Sequence, residues 1–231
     1  MKGLMELYNR EEIESLFNES RLISLLMNKY QLKPKEKTMN KNQILVEEGQ
    51  ENEQVYYIKR GIVGFTQDEN IFGFEKEGHF LGLETFLFND VQPYTIVAME
   101  KMEVFIFVKE DIMDILMGLQ EGWLYLYLLN QAEQKRVQKS CLHLHLKGSN
   151  RSKKMLIDLA KNFGTIDGQA IVLPGCFSKK TVISYFGLSF NTGKTLLEKL
   201  QREGFLLPPS KEKQFRINKE YCQASLYSEN K

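Results

Sequence analysis

The chain has 231 residues, of which 42% are hydrophobic and 26% charged, with a net charge of +1. That is enough length for two domains, and the composition is that of an ordinary water-soluble globular protein; no segment approaches the roughly 18 consecutive apolar residues that would span a membrane. Cys141, Cys176 and Cys222 are an odd number, far apart, with no CxxC pair, so neither a disulfide framework nor an iron–sulfur cluster is supported. The acidic N-terminus lacks a signal-peptide hydrophobic core, and a cytoplasmic protein with reduced cysteines is expected.

Charge is divided unevenly. Residues 147–231 carry 15 Lys/Arg against 7 Asp/Glu, whereas residues 1–146 carry 16 against 23. An acidic body joined to a basic last third suits a chain whose C-terminal module meets a polyanion, although a basic face is also often merely solvated.

Residues 1–30 read as helical, with Ile13, Leu16 and Phe17, then Leu22, Leu25 and Leu26, at helical spacing. Pro34 and the charged run around it (33–37) are expected to close this section. From about Thr38 to Val108 the pattern changes to short apolar or alternating runs: QILVEEGQ, QVYYIKRGIVGF, NIFGFEKEGHFLGLETF, YTIVAM and MEVFIFV. Glycines punctuate them, which predicts a β-barrel or jelly roll. Lys109–Met117 predicts a short helix. A longer helix is expected from Gly122 to about Leu146, with Leu119, Trp123, Leu126, Leu129 and Asn130 on a heptad-like seam. The seam continues less cleanly through Glu133, Val137, Ser140 and Leu144. Lys147–Asn150 reads as a hinge, Ser149 or Asn150 as the cap of a helix over Arg151–Phe163, and residues 169–173 as a strand.

Ser178–Arg202 carries the most specific pattern. Ser178 is placed to cap one helix, running through Phe186 and burying Val182, Ile183 and Phe186. Gly187 supplies the left-handed corner of a tight turn. Ser189 caps a second helix that buries Leu196, Leu197 and Leu200 and turns Asn191, Lys194, Thr195 and Glu198 outward. This is the layout of a helix-turn-helix, whose second helix enters the DNA major groove; a solvated helical hairpin has the same local pattern. The following FLLPPSKEKQFRI reads as strand, basic turn and strand, which completes a winged helix-turn-helix.

The run GQENEQVYYIKRGIVGF resembles the glycine–strand–glycine core of cyclic-nucleotide-binding-type domains. GHFLGLETFLF and YTIVAMEKMEVFIFV are similar to that domain's ligand cradle and closing strand. With the elements that follow, the order resembles the bacterial Crp/Fnr family of transcription regulators over roughly residues 20–218. The resemblance implies an α+β architecture: a jelly-roll sensor in residues 1–118, a dimerisation helix in 119–147 and a winged helix-turn-helix in 148–231. It also implies a homodimer pairing through Trp123, Leu126, Leu129, Asn130 and Val137. The dimer would bind a palindromic DNA operator, contact RNA polymerase if it activates, and take a small-molecule effector if it has one.

Against that family, several sites depart. Cyclic-AMP binders carry an acidic residue directly after a cradle glycine and an Arg–Ser pair at its far end. Here Leu83 follows Gly82, Glu84 comes one place late, and Tyr94–Thr95 stands where Arg–Ser would. No Arg or Lys lies between Lys76 and Lys101. A buried phosphate without a cationic partner is costly, so no response to cyclic AMP is expected. Gln138 and Lys139 replace the helix positions that contact the base. His79 lies in the region of haem-sensing relatives but reads as a surface residue, and no cofactor is expected. In the recognition helix, Phe190, Asn191 and Thr195 occupy the places of the usual Arg, Glu and Arg. Asn191 can bond an adenine edge, Phe190 or Thr195 can touch a thymine methyl, and Lys194 can reach a guanine or a phosphate. Ser189 and Thr192 match phosphate-binding positions, and Ser178, Lys179 and Lys180 stand where the first helix crosses the backbone. The family also has a small residue midway along the first helix facing an apolar one on the second. Here the bulk is exchanged, with Ile183 opposite Gly193.

Two other functions compete. His143-Leu144-His145 would chelate a metal if it lay on a strand of a cupin-like enzyme, because alternate residues of a strand share a face. Alternatively, the C-terminal module would bind a protein in place of DNA.

Overall fold

The structure is a computed structural model that describes residues 9–68, 70–83, 91–208 and 214–222. It divides into two compact units, residues 1–65 with 74–137, and residues 66–73 with 138–231.

The first unit opens with α1 (Arg10–Leu16) and α2 (Glu19–Ser24), capped by the Asn9 and Asn18 side chains, and a π-helical turn over Leu25–Lys29. Eight strands follow, of which the β4–β5 tip (66–73) is counted with the second unit: β1 (Lys35–Met39), β2 (Ile44–Val46), β3 (Gln54–Arg60), β4 (Ile62–Gln67), β5 (Asn70–Lys76), β6 (Phe80–Leu81), β7 (Thr95–Ala98) and β8 (Met102–Val108). They form two four-stranded sheets, β1-β8-β3-β6 and β2-β7-β4-β5, the expected jelly-roll pattern. Then come α3 (Lys109–Gly118) and the long helix α4 (Trp123–Leu144).

The run expected to close the N-terminal section instead forms most of β1, which pairs with β8 from Lys35↔Ile106 to Met39↔Met102. Its Lys35, Glu36 and Lys37 are exposed and only Met39 is buried. Charged residues on an edge strand discourage pairing with another chain, which is why this strand does not look like one in sequence.

Period-two alternation sets the core. Tyr56 and Ile58 of β3 and Met102 and Val104 of β8 turn toward the second sheet, where Val63, Phe65, Ile96 and Ala98 meet them. The intervening Val55 and Phe107 turn the other way, onto Leu22, Leu26, Ile112, Leu116, Tyr125 and Leu126 of the helices. A sheet covered on both faces needs nearly continuous apolar strands, as in QVYYI and MEVFIFV.

In the second unit a short link leads to α5 (Ser149–Phe163), and then come β9 (Thr165–Asp167), β10 (Ala170–Val172), α6 (Lys179–Tyr185), α7 (Phe190–Arg202), β11 (Leu206–Leu207) and β12 (Arg216–Asn218). The strands form the sheet β11-β12-β10-β9. β9, too short to register as a periodic pattern, pairs with β10 through Ile166↔Ile171. Neither Ser149 nor Asn150 caps α5: the helix begins at Ser149 with Gly148 as its cap residue and no side-chain cap bond. Leu156, Leu173, Val182, Leu200, Phe205 and Ile217 are fully buried in this unit.

Candidate functional site

The two-helix element follows its sequence pattern closely. Ser178 Oγ accepts the Thr181 N–H at 3.2 Å, and Ser189 Oγ accepts the Thr192 N–H at 3.3 Å. Each capping hydroxyl also lies within 2.9 Å of the hydroxyl of the threonine three residues on. Ser-x-x-Thr thus opens both helices, relieving N–H groups that a helix start leaves unpaired. Gly187 turns the corner at φ +66°, a conformation that costs a side-chain-bearing residue more. Val182, Ile183, Phe186, Leu197 and Leu200 are buried, and Leu196 is half-buried.

Every candidate reading residue is on the surface: Ser178, Lys179, Lys180, Ser189, Phe190, Asn191, Thr192, Lys194 and Thr195 are all exposed. Phe190 is 58% exposed, unusual for a phenylalanine with a core available. Thr195 Oγ1 donates back to the Asn191 carbonyl at 3.1 Å. Among the described residues no ion pair holds Lys179, Lys180 or Lys194. The basic turn of the wing, residues 210–213, lies outside the described residues.

Beneath this face, Gly193 is buried and its backbone sits against Ile183. A Cβ added there would stand 2.5 and 2.6 Å from the Ile183 Cγ2 and Cγ1 atoms. The bulk exchanged between the helices is therefore a true steric fit.

A second candidate lies in the first unit, a cavity of about 110 Å3 between strands and long helix. Of the expected effector residues, Leu83 and Tyr94 line it. Gly82 (φ +92°) lies against the strand β3 backbone, where a Cβ would meet the Gln54 carbonyl oxygen at 2.7 Å. Thr95 Oγ1 accepts the Glu48 N–H at 3.1 Å. Glu84 lies outside the described residues.

The polar lining comes from residues that sequence reasoning did not connect. Glu19 Oε2 meets His79 Nδ1 at 2.7 Å, His79 Nε2 stands 3.4 Å from Glu75, and Glu75 meets Arg136 at 3.3 Å. Arg136 also pairs with Glu133 and lies 4.3 Å over the Phe65 ring. His79 is thus no isolated surface residue but part of an alternating chain of charges running from α2 through the strands to α4. The Glu19 hydrogen bond, with Glu75 and against the opposing effect of burial, holds the His79 imidazole above its ordinary range. Glu75 with His79 and Glu133 with Arg136 are visible as i,i+4 and i,i+3 pairs, but only the fold joins them.

The long helix α4 changes the expected seam. Leu126 is buried in the core of its own unit and Leu129 packs against that core, so neither offers a full side chain outward. Asn130 Nδ2 donates back to the Leu126 carbonyl at 3.1 Å. Trp123, Tyr127, Val137 and Leu144 are exposed apolar positions along one stripe, joined by exposed Gln134 and Cys141; Leu142, also exposed, falls off it. With half-buried Asn130 these fall at alternating steps of four and three, the heptad spacing; Trp123, Asn130, Val137 and Leu144 are residues of the expected seam, while Tyr127, Gln134 and Cys141 stand one place after Leu126, Glu133 and Ser140.

His143 lies on α4, buried, with Nε2 at 2.8 Å from Asp158 Oδ2, and His145 lies beyond the helix end and is exposed. The strand geometry that a two-histidine chelate needs is absent there, and no group of three or more His, Cys, Asp or Glu side chains among the described residues could hold a metal. No helix among the described residues is long and apolar enough to cross a membrane.

A jelly-roll sensor-type unit followed by a helix-turn-helix flanked by a small sheet defines a class, and comparison with known proteins agrees. Residues 36–136 match the family model described as "Cyclic nucleotide-binding domain". No curated protein sequence matches the chain. Among solved structures, the chain resembles a cyclic nucleotide-binding domain containing protein from Listeria monocytogenes at 19% identity and TM-score 0.68, covering 87% of this chain and 96% of that one. It also resembles the c-di-GMP responsive global regulator CLP of Xanthomonas campestris, at 18% identity, TM-score 0.67 and coverage of 86% and 98%. A third is TTHB099, a transcriptional regulator of the CRP family from Thermus thermophilus, at 17% identity, TM-score 0.65 and coverage of 81% and 95%. The fold is thus similar to that of solved regulators of the CRP family, and residues 36–136 match the cyclic nucleotide-binding domain model.

Proposed function

We propose that this protein is a transcription regulator of the Crp/Fnr type that binds DNA as a homodimer through α7. The observation that carries the reading is the exposed start of α7, where Phe190, Asn191, Lys194 and Thr195 stand outward beside Lys179 and Lys180. Asn191 can make two hydrogen bonds to an adenine edge, and the Ser-capped helix starts and lysines suit phosphates. The replaced readers favour an operator different from that of cyclic-AMP receptors. The heptad stripe Trp123, Tyr127, Val137 and Leu144 on a 22-residue helix supports pairing with a second copy. Two recognition helices would then read half-sites about 34 Å apart.

The test is genomic footprinting with the purified protein. The expected result is paired half-sites and binding that weakens steeply with salt as counterions are released; absent or salt-insensitive binding would favour a protein partner. Oxidative cross-linking through Cys141 tests the pairing, since a parallel dimer along this stripe brings the two thiols together.

The same reading assigns no response to cyclic AMP. Arg136 supplies a cation the cradle lacks, but Glu75 and Glu133 already engage it. A phosphate would enter a lining of three carboxylates against one guanidinium and one imidazole. The space is also small: an apolar cavity of about 150 Å3 holds only a benzene-sized molecule. Calorimetry is expected to show no micromolar cyclic-AMP binding.

A further inference from the structure

Asp158 of α5 is 5% exposed and holds two residues from the far side of the link between α4 and α5. Its Oδ2 takes His143 Nε2 at 2.8 Å, while the Lys139 ammonium stands 3.1 Å from Oδ1. Lys139 and His143 are one helical turn apart, so a single carboxylate grips two successive turns of α4. Two anchor points along one helix fix its tilt and its rotation, which one contact would not. The link itself, residues 145–148, turns at Gly148 with φ +57° and carries no side-chain cap; without the carboxylate it has little to set its angle.

The surroundings keep the grip charged. Burial works to raise the Asp158 carboxyl, but His143, Lys139 and the nearby charge of Lys154 outweigh it and hold it below the usual range. Tyr185 of α6 also faces it, with a phenol pushed up to about 12 by burial and by the Asp158 charge, and so stays neutral. An ionised buried carboxylate cannot drop its partners without a large desolvation cost. The compact units divide accordingly, the boundary in this part of the chain falling between Val137 and Gln138, inside α4, and not at the link.

We infer that Asp158 is a positioning residue for DNA reading: its grip on Lys139 and His143 joins the last turns of α4 to the DNA-reading helices as one body. The spacing between the two half-sites is then set by the helix and not left to the link. This rests on the proposed dimeric DNA reading.

The experiment uses the full-length protein and duplexes built on a footprinted site: the native spacing, two base pairs inserted or removed between the halves, and a single half-site. Wild type is expected to prefer the native spacing by tenfold or more. Asp158→Asn should keep its half-site affinity but lose most of that preference, with Asp158→Glu restoring part. Lys139→Met and His143→Gln should each show a smaller loss, and they carry the test if Asp158→Asn does not fold. An unchanged spacing preference in folded variants would overturn the inference, as would an equal loss on the half-site, which marks a merely structural role. If wild type itself binds no site, the regulator reading fails and the grip is judged by trypsin cleavage after Lys147. Several-fold faster cleavage in Asp158→Asn at equal Tm supports it, and equal rates reject it.

Discussion

The two candidate sites use polar side chains in opposite ways. In the first unit, Glu19, His79, Glu75, Arg136 and Glu133 pair with one another around a small cavity. On α7 and the start of α6, Asn191, Lys194, Lys179 and Lys180 face solvent, and no ion pair among the described residues engages them. A surface built to meet a partner leaves its polar groups open. A cavity whose charges are already paired binds a charged guest only by breaking those pairs. On the proposed function the α7 face would meet DNA with its polar groups already open, while the cavity of the first unit is lined by groups already paired with each other.

The largest expected effect lies under the reading face. Gly193→Val should lose about 3 kcal/mol or more in denaturant unfolding, because the new side chain would overlap Ile183. Adding Ile183→Ala should recover part of that loss; a Gly193→Val protein as stable as wild type, with DNA binding intact, would break the packing account. On the face itself, Asn191→Ala should weaken binding to the best site by about 1–3 kcal/mol and relax preference at one base pair. Its Tm should not change, since the side chain is exposed, and unaltered specificity would remove Asn191 from the readers.

In the cavity, Arg136→Met should cost about 2 kcal/mol of stability, as Glu75 and Glu133 lose their shared cation while still largely covered. The smallest effect is the pH dependence of His79. Its imidazole titrates above its ordinary value in the folded state, so it contributes stability that is full below about pH 6.5 and is lost as pH rises through the folded value. Wild-type Tm should therefore decline between pH 6.5 and mildly alkaline pH more than that of His79→Gln; identical profiles would mean the Glu19–His79–Glu75 bridge is idle.

Much of the chain could be read in order because its elements are local. Ser178, Gly187 and Ser189 set helix starts and a corner within a few residues of themselves, and even the Ile183–Gly193 fit spans only one turn. The wing and jelly-roll strands were legible as runs, though β1 was hidden by edge-strand lysines and β9 by its shortness. Only half of the α4 seam could be read, because a helix with apolar residues on two sides does not say which side its own sheets cover. Leu126 proved to be core and Tyr127 surface for that reason.

By itself, then, the sequence determined the kind of elements, their order, and which side chains α7 turns outward, since capping, turn geometry and periodicity act over distances shorter than a helix. Only the tertiary structure decided which charges meet. Glu75 with Arg136, and Asp158 with Lys139 and His143, are joined by folding across 61, 19 and 15 residues respectively. Ion pairing depends on separations of a few ångströms that no local pattern encodes.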